Sequence, residues 1–229
     1  MSDPLSTLPA AGLHTAGPEA LADLQLRAGG DGLVIGRNRQ GSPVAVRLFR
    51  AEPTRLLLVG GVRCAQLLAL RAMALGAHLF VQSAREPDWH GFLHQCGLGR
   101  ESATFLPPGA QPPAPQSPAR PQLLVVDTGP SMGTAPEVGA PWRATMVVRN
   151  DLGSWDLDAL VRSDLVVFQR LTTAEAALAA STLGFSGAQS WLSRIHSEMV
   201  GLVSQGRLQW VMLHPTSMES ALLGSVGRL

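Results

Sequence analysis

Three junctions in this sequence carry residue types that could hold a phosphate ester. At Val59-Gly60-Gly61-Val62-Arg63 an apolar run gives way to a helical pattern. Backbone N–H groups and a helix N-terminus attract anions at such a turn. Asp127 closes a second apolar run, Gln122-Leu123-Leu124-Val125-Val126, and Arg170 follows a third, Leu165-Val166-Val167-Phe168-Gln169. Gly60, Gly61, Arg63, Asp127 and Arg170 are therefore the candidate ligand residues, in positions like those of Walker A and Walker B. The chemistry of a phosphate-splitting loop is missing from them. Such a loop needs Gly-x4-Gly-Lys-Ser/Thr, and a dinucleotide turn needs three spaced glycines. An adjacent glycine pair also serves a plain strand-to-helix turn, where it relieves backbone strain.

Other constellations are weaker. Asp127-Thr128-Gly129 spells the aspartic-protease triplet, but that chemistry needs a second aspartate sharing its proton, and no second Asp-Thr-Gly exists. His90, His94 and Cys96 have helical spacing without a fourth nearby ligand, so no metal site is expected. No Gly-x-Ser-x-Gly elbow is present, and Cys64 falls on an apolar stripe where a structural thiol is expected. All eighteen basic residues are arginine, so a Schiff base or a lysine general base is excluded. Arg149, Arg162 and Arg170 near Asp151, Asp156, Asp158 and Asp164 read as solvated ion pairs of small energetic weight. No catalytic set, cofactor or metal is expected.

The elements that would position these residues alternate strand and helix. The chain has 229 residues, an apolar fraction of 45%, 15% charged residues and a net charge of +1. That apolar content fills a real core, and the balanced charge gives no basic face for nucleic acid. Residues 1–28 read as a flexible lead-in with a short helix from Pro18, and 29–229 as one α/β domain. Leu33-Val34-Ile35 and Val44 to Phe49 flank a polar loop as a β-hairpin.

Arg55 to Val59, the helical Val62 to Leu75, and His78 to Gln82 then form a strand–helix–strand unit, which requires parallel strands. Cys64, Leu67, Leu68, Arg71, Ala72 and Leu75 share one face of that helix. Trp89 to Cys96 predicts a short helix and Ala103 to Leu106 a small strand. Seven prolines between Pro107 and Pro121 predict an extended connection. Strands follow at Gln122–Asp127, Ala144–Arg149 and Asp164–Gln169, helices at Thr173–Leu183 and Gln189–Val203, and a last strand at Arg207–His214.

The fold class is α/β: a mostly parallel sheet with helices on both faces, Rossmann-like, preceded by a β-hairpin. The N-terminus has no signal-peptide pattern. Arg63 and Arg71 interrupt the most hydrophobic stretch, Leu56 to Val81, and an arginine near mid-bilayer costs roughly 2.5–3.5 kcal/mol.

One resemblance adds to this reading. Gly41-Ser42-Pro43-Val44 leading to Arg47-Leu48-Phe49, Pro53-Thr54-Arg55 with its strand, and Ala65 to Ala72 with Leu75-Gly76-Ala77 resemble the cytoplasmic part of EccE. Pro121 to Asp127, Pro141-Trp142-Arg143 and Ser163 to Leu171 continue the likeness, which covers roughly Gly32 to Arg170. EccE is a component of the actinobacterial type VII (ESX) secretion translocon. The resemblance implies a non-catalytic subunit that binds other proteins, among them membrane-embedded secretion subunits. It further implies a cytoplasmic place, peripheral to the inner membrane and touching the membrane only indirectly. The family's transmembrane helices find no counterpart in these residues.

Overall fold

Leu56, Leu57, Leu58 and Val59 are all buried although neighbours on a strand face opposite ways, so this segment needs cover on both sides. The computed structural model shows how it is covered. It describes residues 32–98, 101–115, 117–129, 139–185 and 187–228, and the expected lead-in over 1–28 lies outside them.

Ten strands form one sheet: β1 (Leu33–Arg37), β2 (Pro43–Val46), β3 (Thr54–Val59), β4 (His78–Ser83), β5 (Ala103–Phe105), β6 (Gln122–Asp127), β7 (Arg143–Arg149), β8 (Leu165–Phe168), β9 (Met199–Ser204) and β10 (Arg207–Met212). Their order is β2-β1-β10-β9-β8-β3-β7-β6-β4-β5. The run from β8 to β5 is parallel, and β9, β10, β1 and β2 extend it antiparallel. The helices are α1 (Val62–Ala74), α2 (Glu86–Gln95), α3 (Leu157–Arg162, entered through a 3-10 turn at Ser154–Asp156), α4 (Thr173–Leu183), α5 (Gln189–Leu192) and α6 (Ser217–Leu223).

Each face of the sheet has its own core. Leu56 and Leu58 meet Leu67 and Leu68 of α1, Trp89 of α2 and Leu223 of α6 on one face. Leu57 and Val59 meet Leu160 of α3, Ala176 of α4 and Leu192 of α5 on the other. The domain is thus α/β with helices on both faces, as expected. The hairpin does not stand apart: β1 joins the same sheet through Arg37 opposite Met212. Gly36 permits this, since a Cβ there would lie 2.0 Å from the Met212 carbonyl oxygen.

Two details differ from expectation. The helix read over Gln189–Val203 stops at Leu192, and Met199–Ser204 is a strand. Its sequence, Met-Val-Gly-Leu-Val-Ser, suits a buried strand, and Gln205 (φ 51°) and Gly206 (φ 70°) make the two-residue hairpin turn into β10. Leu75 lies past the last helical residue and is exposed rather than part of the buried stripe. The Pro107–Pro121 connection follows the expected irregular path. Arg143 ties it down through the Pro112 and Pro113 carbonyls, and Gln82 through that of Ala110.

Arg71, on the buried side of α1, has a structural reason to be charged. Its Nε and Nη2 donate to Glu219 of α6 at 2.7 and 2.9 Å, and it also donates to the carbonyls of Ile35 and Leu213. One guanidinium therefore joins α1, α6, β1 and the chain after β10. The Arg71 hydrogen bond is the main cause holding the Glu219 carboxyl below its usual range. Arg71→Ala leaves a nearly buried carboxylate with only the Thr216 N–H and takes the guanidinium from the Ile35 and Leu213 carbonyls, so about 3–5 kcal/mol of stability should be lost. Urea unfolding checks this.

Candidate functional site

β3 and β7 are neighbours, yet the chain leaves β3 into α1 on one face and β7 into α3 on the other. Connections diverging from adjacent parallel strands open a crevice at the carboxyl ends, the usual ligand position in an open α/β sheet. Two adjoining cavities lie there. One, of about 430 Å³, has Gly60, Gly61, Val62, Arg63, Ser225, Gly227 and Arg228 in its wall. The other, of about 250 Å³, includes Asp127, Thr128, Arg149 and Trp155. Arg85, Asn150 and Asp151 line both. Gly60, Gly61, Arg63 and Asp127 are thus brought to one cleft. Arg170 lines neither cavity and its side chain is exposed.

Gly60 is required by close approach. A Cβ there would sit 2.6 Å from Oε1 of Gln169. That amide oxygen accepts from the Gly61 N–H at 2.8 Å, and its Nε2 donates to the Val226 carbonyl at 2.7 Å. The Gly60 N–H donates to the Arg149 carbonyl. Both glycine amides are therefore spent inside the protein, and the turn is held rigid between β7, β8 and the segment after α6.

Asp127 is 4% exposed, and its carboxylate accepts four hydrogen bonds. Arg85 donates twice, Nε at 2.7 Å and Nη2 at 2.7 Å, Trp89 Nε1 donates at 2.8 Å, and Ser83 Oγ at 3.2 Å. The hydrogen bonds that Arg85 donates to Asp127 raise the Arg85 pKa further, so the guanidinium stays charged. A carboxylate so occupied fastens β4 and α2 to β6; metal or proton chemistry would have to break those bonds first.

Arg149 and Asp156 correct the expectation of solvated ion pairs. Both are buried, with Nε to Oδ1 at 2.8 Å, and Asp156 also accepts from the Gly153 N–H. The pair fixes the 3-10 turn that carries Trp155. Arg162–Asp158 is the exposed pair that was expected.

Arg228 closes the far wall. It donates to both Glu175 oxygens, 2.6 and 3.2 Å, to the Arg170 and Asn150 carbonyls, and to Asp151 at 3.2 Å. Burial alone would raise the Glu175 carboxyl. The Arg228 guanidinium and the Thr172 and Leu152 N–H groups together outweigh it and hold the pKa down at about 2.

The remaining candidates lie elsewhere. Cys64 is in the core, where burial pushes its thiol up to about 12. The His90 ring stacks on Phe105 at 3.9 Å. As cleft residues, sequence reasoning missed Arg85, Thr128, Asn150, Asp151, Trp155 and Arg228; Thr128 entered only within Asp-Thr-Gly and Asp151 only as an ion-pair partner. For Arg85, Asn150 and Asp151 the signal was available, since each follows a parallel strand's carboxyl end. For Trp155 and Arg228 there was none, because long-range packing brings them in. No protein-family model matches the chain, and no curated protein matches it.

The Glu175–Arg228 contact has a pH signature. Glu175 has a folded pKa below the ordinary 4.5, so the stability it confers is full above about 4.5 and disappears as pH falls through about 2. Arg228→Gln removes the guanidinium from the nearly buried Glu175 and, on the surface, from the exposed Asp151. The difference in urea midpoint between wild type and Arg228→Gln should be constant from pH 7 to about 5 and shrink steadily below that.

Proposed function

We propose that this chain is a non-catalytic, protein-binding component of a type VII secretion-like assembly, bound from the cytoplasmic side to subunits embedded in the inner membrane. The observation that carries the protein-binding part is Trp191, whose indole is 66% exposed on α5. Val161 of α3 is also exposed, and α4 packs against both α3 and α5 in the same layer. Tryptophan is the residue type most often found to dominate a protein interface when it fills a partner's pocket. The resemblance of Gly32 to Arg170 to the cytoplasmic part of EccE supplies the kind of assembly.

Two further features favour binding over catalysis. Asp127, the candidate acid of the cleft, is committed to four internal hydrogen bonds. The sequence also has no lysine to act on a phosphate or a carbonyl. Among the described residues, no helix is long and apolar enough to cross a membrane, so membrane attachment in this reading runs through partner proteins.

The test is capture of the tagged chain from the native membrane fraction, washed at high salt to strip purely electrostatic contacts. Wild type should retain secretion-membrane subunits identified by mass spectrometry. Trp191→Ser, a change at an exposed position, should lose them at least about tenfold, the effect of a hot-spot residue. Wild type eluting alone, or Trp191→Ser retaining the same subunits, overturns the reading.

A further inference from the structure

β10 is paired along its whole length on one side and at a single residue on the other. Its register with β9 runs from Arg207 opposite Ser204 to Met212 opposite Met199. In a hairpin closed by a two-residue turn the closing pair exchanges both hydrogen bonds, and bonded pairs recur at every second residue. The Leu213 N–H, which donates to the Glu198 carbonyl at 2.8 Å, keeps that alternation. Arg207, Gln209 and Val211 therefore spend their N–H and C=O groups on β9, while those of Leu208, Trp210 and Met212 point outward. β1 meets this outer edge through Arg37, at Met212. Past Arg37 the chain turns away, with the Asn38 N–H donating to the Ser42 carbonyl. Among the described residues nothing pairs with the outward N–H and C=O groups of Leu208 and Trp210.

The outermost strand of the same sheet is treated differently. β2 is four residues long and begins with Pro43, which has no N–H to offer. Shortness and proline both blunt a free edge. β10 has six residues and no proline. Its side chains divide by face. Leu208 and Trp210, both partly exposed, lie over Gly201 next to α5: a Cβ on Gly201 would be 3.1 Å from the Trp210 ring, 3.3 Å from Leu208 Cδ1 and 3.4 Å from Leu192 Cδ2. The other face presents Gln209 and Arg207, both exposed, and Arg207 is in no ion pair among the described residues. A row of outward main-chain donors and acceptors is complementary to an extended chain, with alternate side chains setting which chain it takes.

We propose that the outer edge of β10 takes an extended segment of a partner protein as an added antiparallel strand, apolar opposite Trp210 and Leu208 and acidic opposite Arg207. The two apolar residues of the segment exchange main-chain hydrogen bonds with Trp210 and Leu208 and cover their side chains. The residue between them faces Gln209, and the acid meets the unpaired guanidinium across the strands. A second copy of this chain cannot supply the segment through its own β10. The register that bonds both Leu208 and Trp210 sets the copy's Gly206 opposite Met212, the place that Arg37 holds. The proposal deepens the protein-binding reading, on which it rests, by naming the partner's conformation and chemistry. Neither Trp191 nor the secretion assembly enters it.

The test is an NMR titration of the full chain with the peptide acetyl-Val-Thr-Val-Glu-amide. The Leu208 and Trp210 amide signals should shift saturably, with a Kd at or below about 1 mM. Methylating both valine nitrogens removes the donors that face β10 and should weaken binding about tenfold or more. Methylating the threonine nitrogen, which faces away, should leave binding unchanged. Lysine in place of the glutamate should weaken it about two- to fivefold, the weight of an exposed ion pair. Leu208→Pro deletes an outward N–H without touching the β9 ladder, so it should weaken the peptide about tenfold while the melting temperature holds. The methylated peptides decide the matter even where Leu208→Pro fails to fold. No saturable shift at Leu208 and Trp210 overturns the proposal, as does equal binding of the valine-methylated peptide. A wild-type chain that sediments as a dimer, with Leu208→Pro a monomer, also overturns it by placing a second copy on this edge. The titration needs no captured subunit, so its failure is separate from failure of the Trp191-dependent capture.

Discussion

A carboxylate removed from water must be matched by donors, and the one at Asp127 is matched by three residues at once. Ser83 and Arg85 approach from the end of β4, and Trp89 from the first turns of α2, all meeting at the end of β6. The neighbouring strands β4 and β6 are thereby held in register at their functional ends, and Trp89 is drawn fully into the core. Arg85, fixed by the carboxylate, reaches on to Asn150 beyond β7. The floor of the cleft is built outward from this one group.

The other side of the cleft depends on a different constraint, the close packing of Gln169 against Gly60. The amide holds the Gly61 N–H and the Val226 carbonyl together, so the strand-to-helix turn and the chain after α6 are positioned by one side chain. Arg228 then joins that segment to Glu175 at the start of α4 and to the backbone following β7. Between these two fixed sides lie groups that have no partner among the described residues: the first N–H groups of α1, the Arg63 guanidinium and the Thr128 hydroxyl. The same frame leaves Trp191 outward on the layer of α3, α4 and α5, away from the residues lining the two cavities.

Most of the parallel half was legible in the sequence because its strands are short, fully apolar and bounded by Gly or a charge. β3, β4, β6, β7 and β8 fall where they were read to within a residue or so at either end. The failure over Gln189–Val203 has a physical cause. A short apolar run has no period that separates a buried strand from a buried helix, and the Gln205-Gly206 turn that decides it lies past the run. Gly60, Gly61, Arg63 and Asp127 were legible as a group because they close or follow parallel strands. Their state was not. Nothing in the local sequence says that Asp127 is consumed by a residue forty-two positions earlier, or that Arg149 and Asp156 are buried rather than solvated.

The most direct measurement is the unfolding free energy of Asp127→Asn in urea. An amide keeps the shape but cannot accept from Ser83, both Arg85 nitrogens and Trp89 together, and it leaves the partly buried Arg85 without its counter-charge. The structure predicts a loss on the order of 3 kcal/mol, the scale for breaking a largely buried ion pair, with the unfolding still cooperative. Unchanged stability would contradict the account. Asp127 would then be an acid held in reserve for chemistry, and the floor of the cleft would rest on something else.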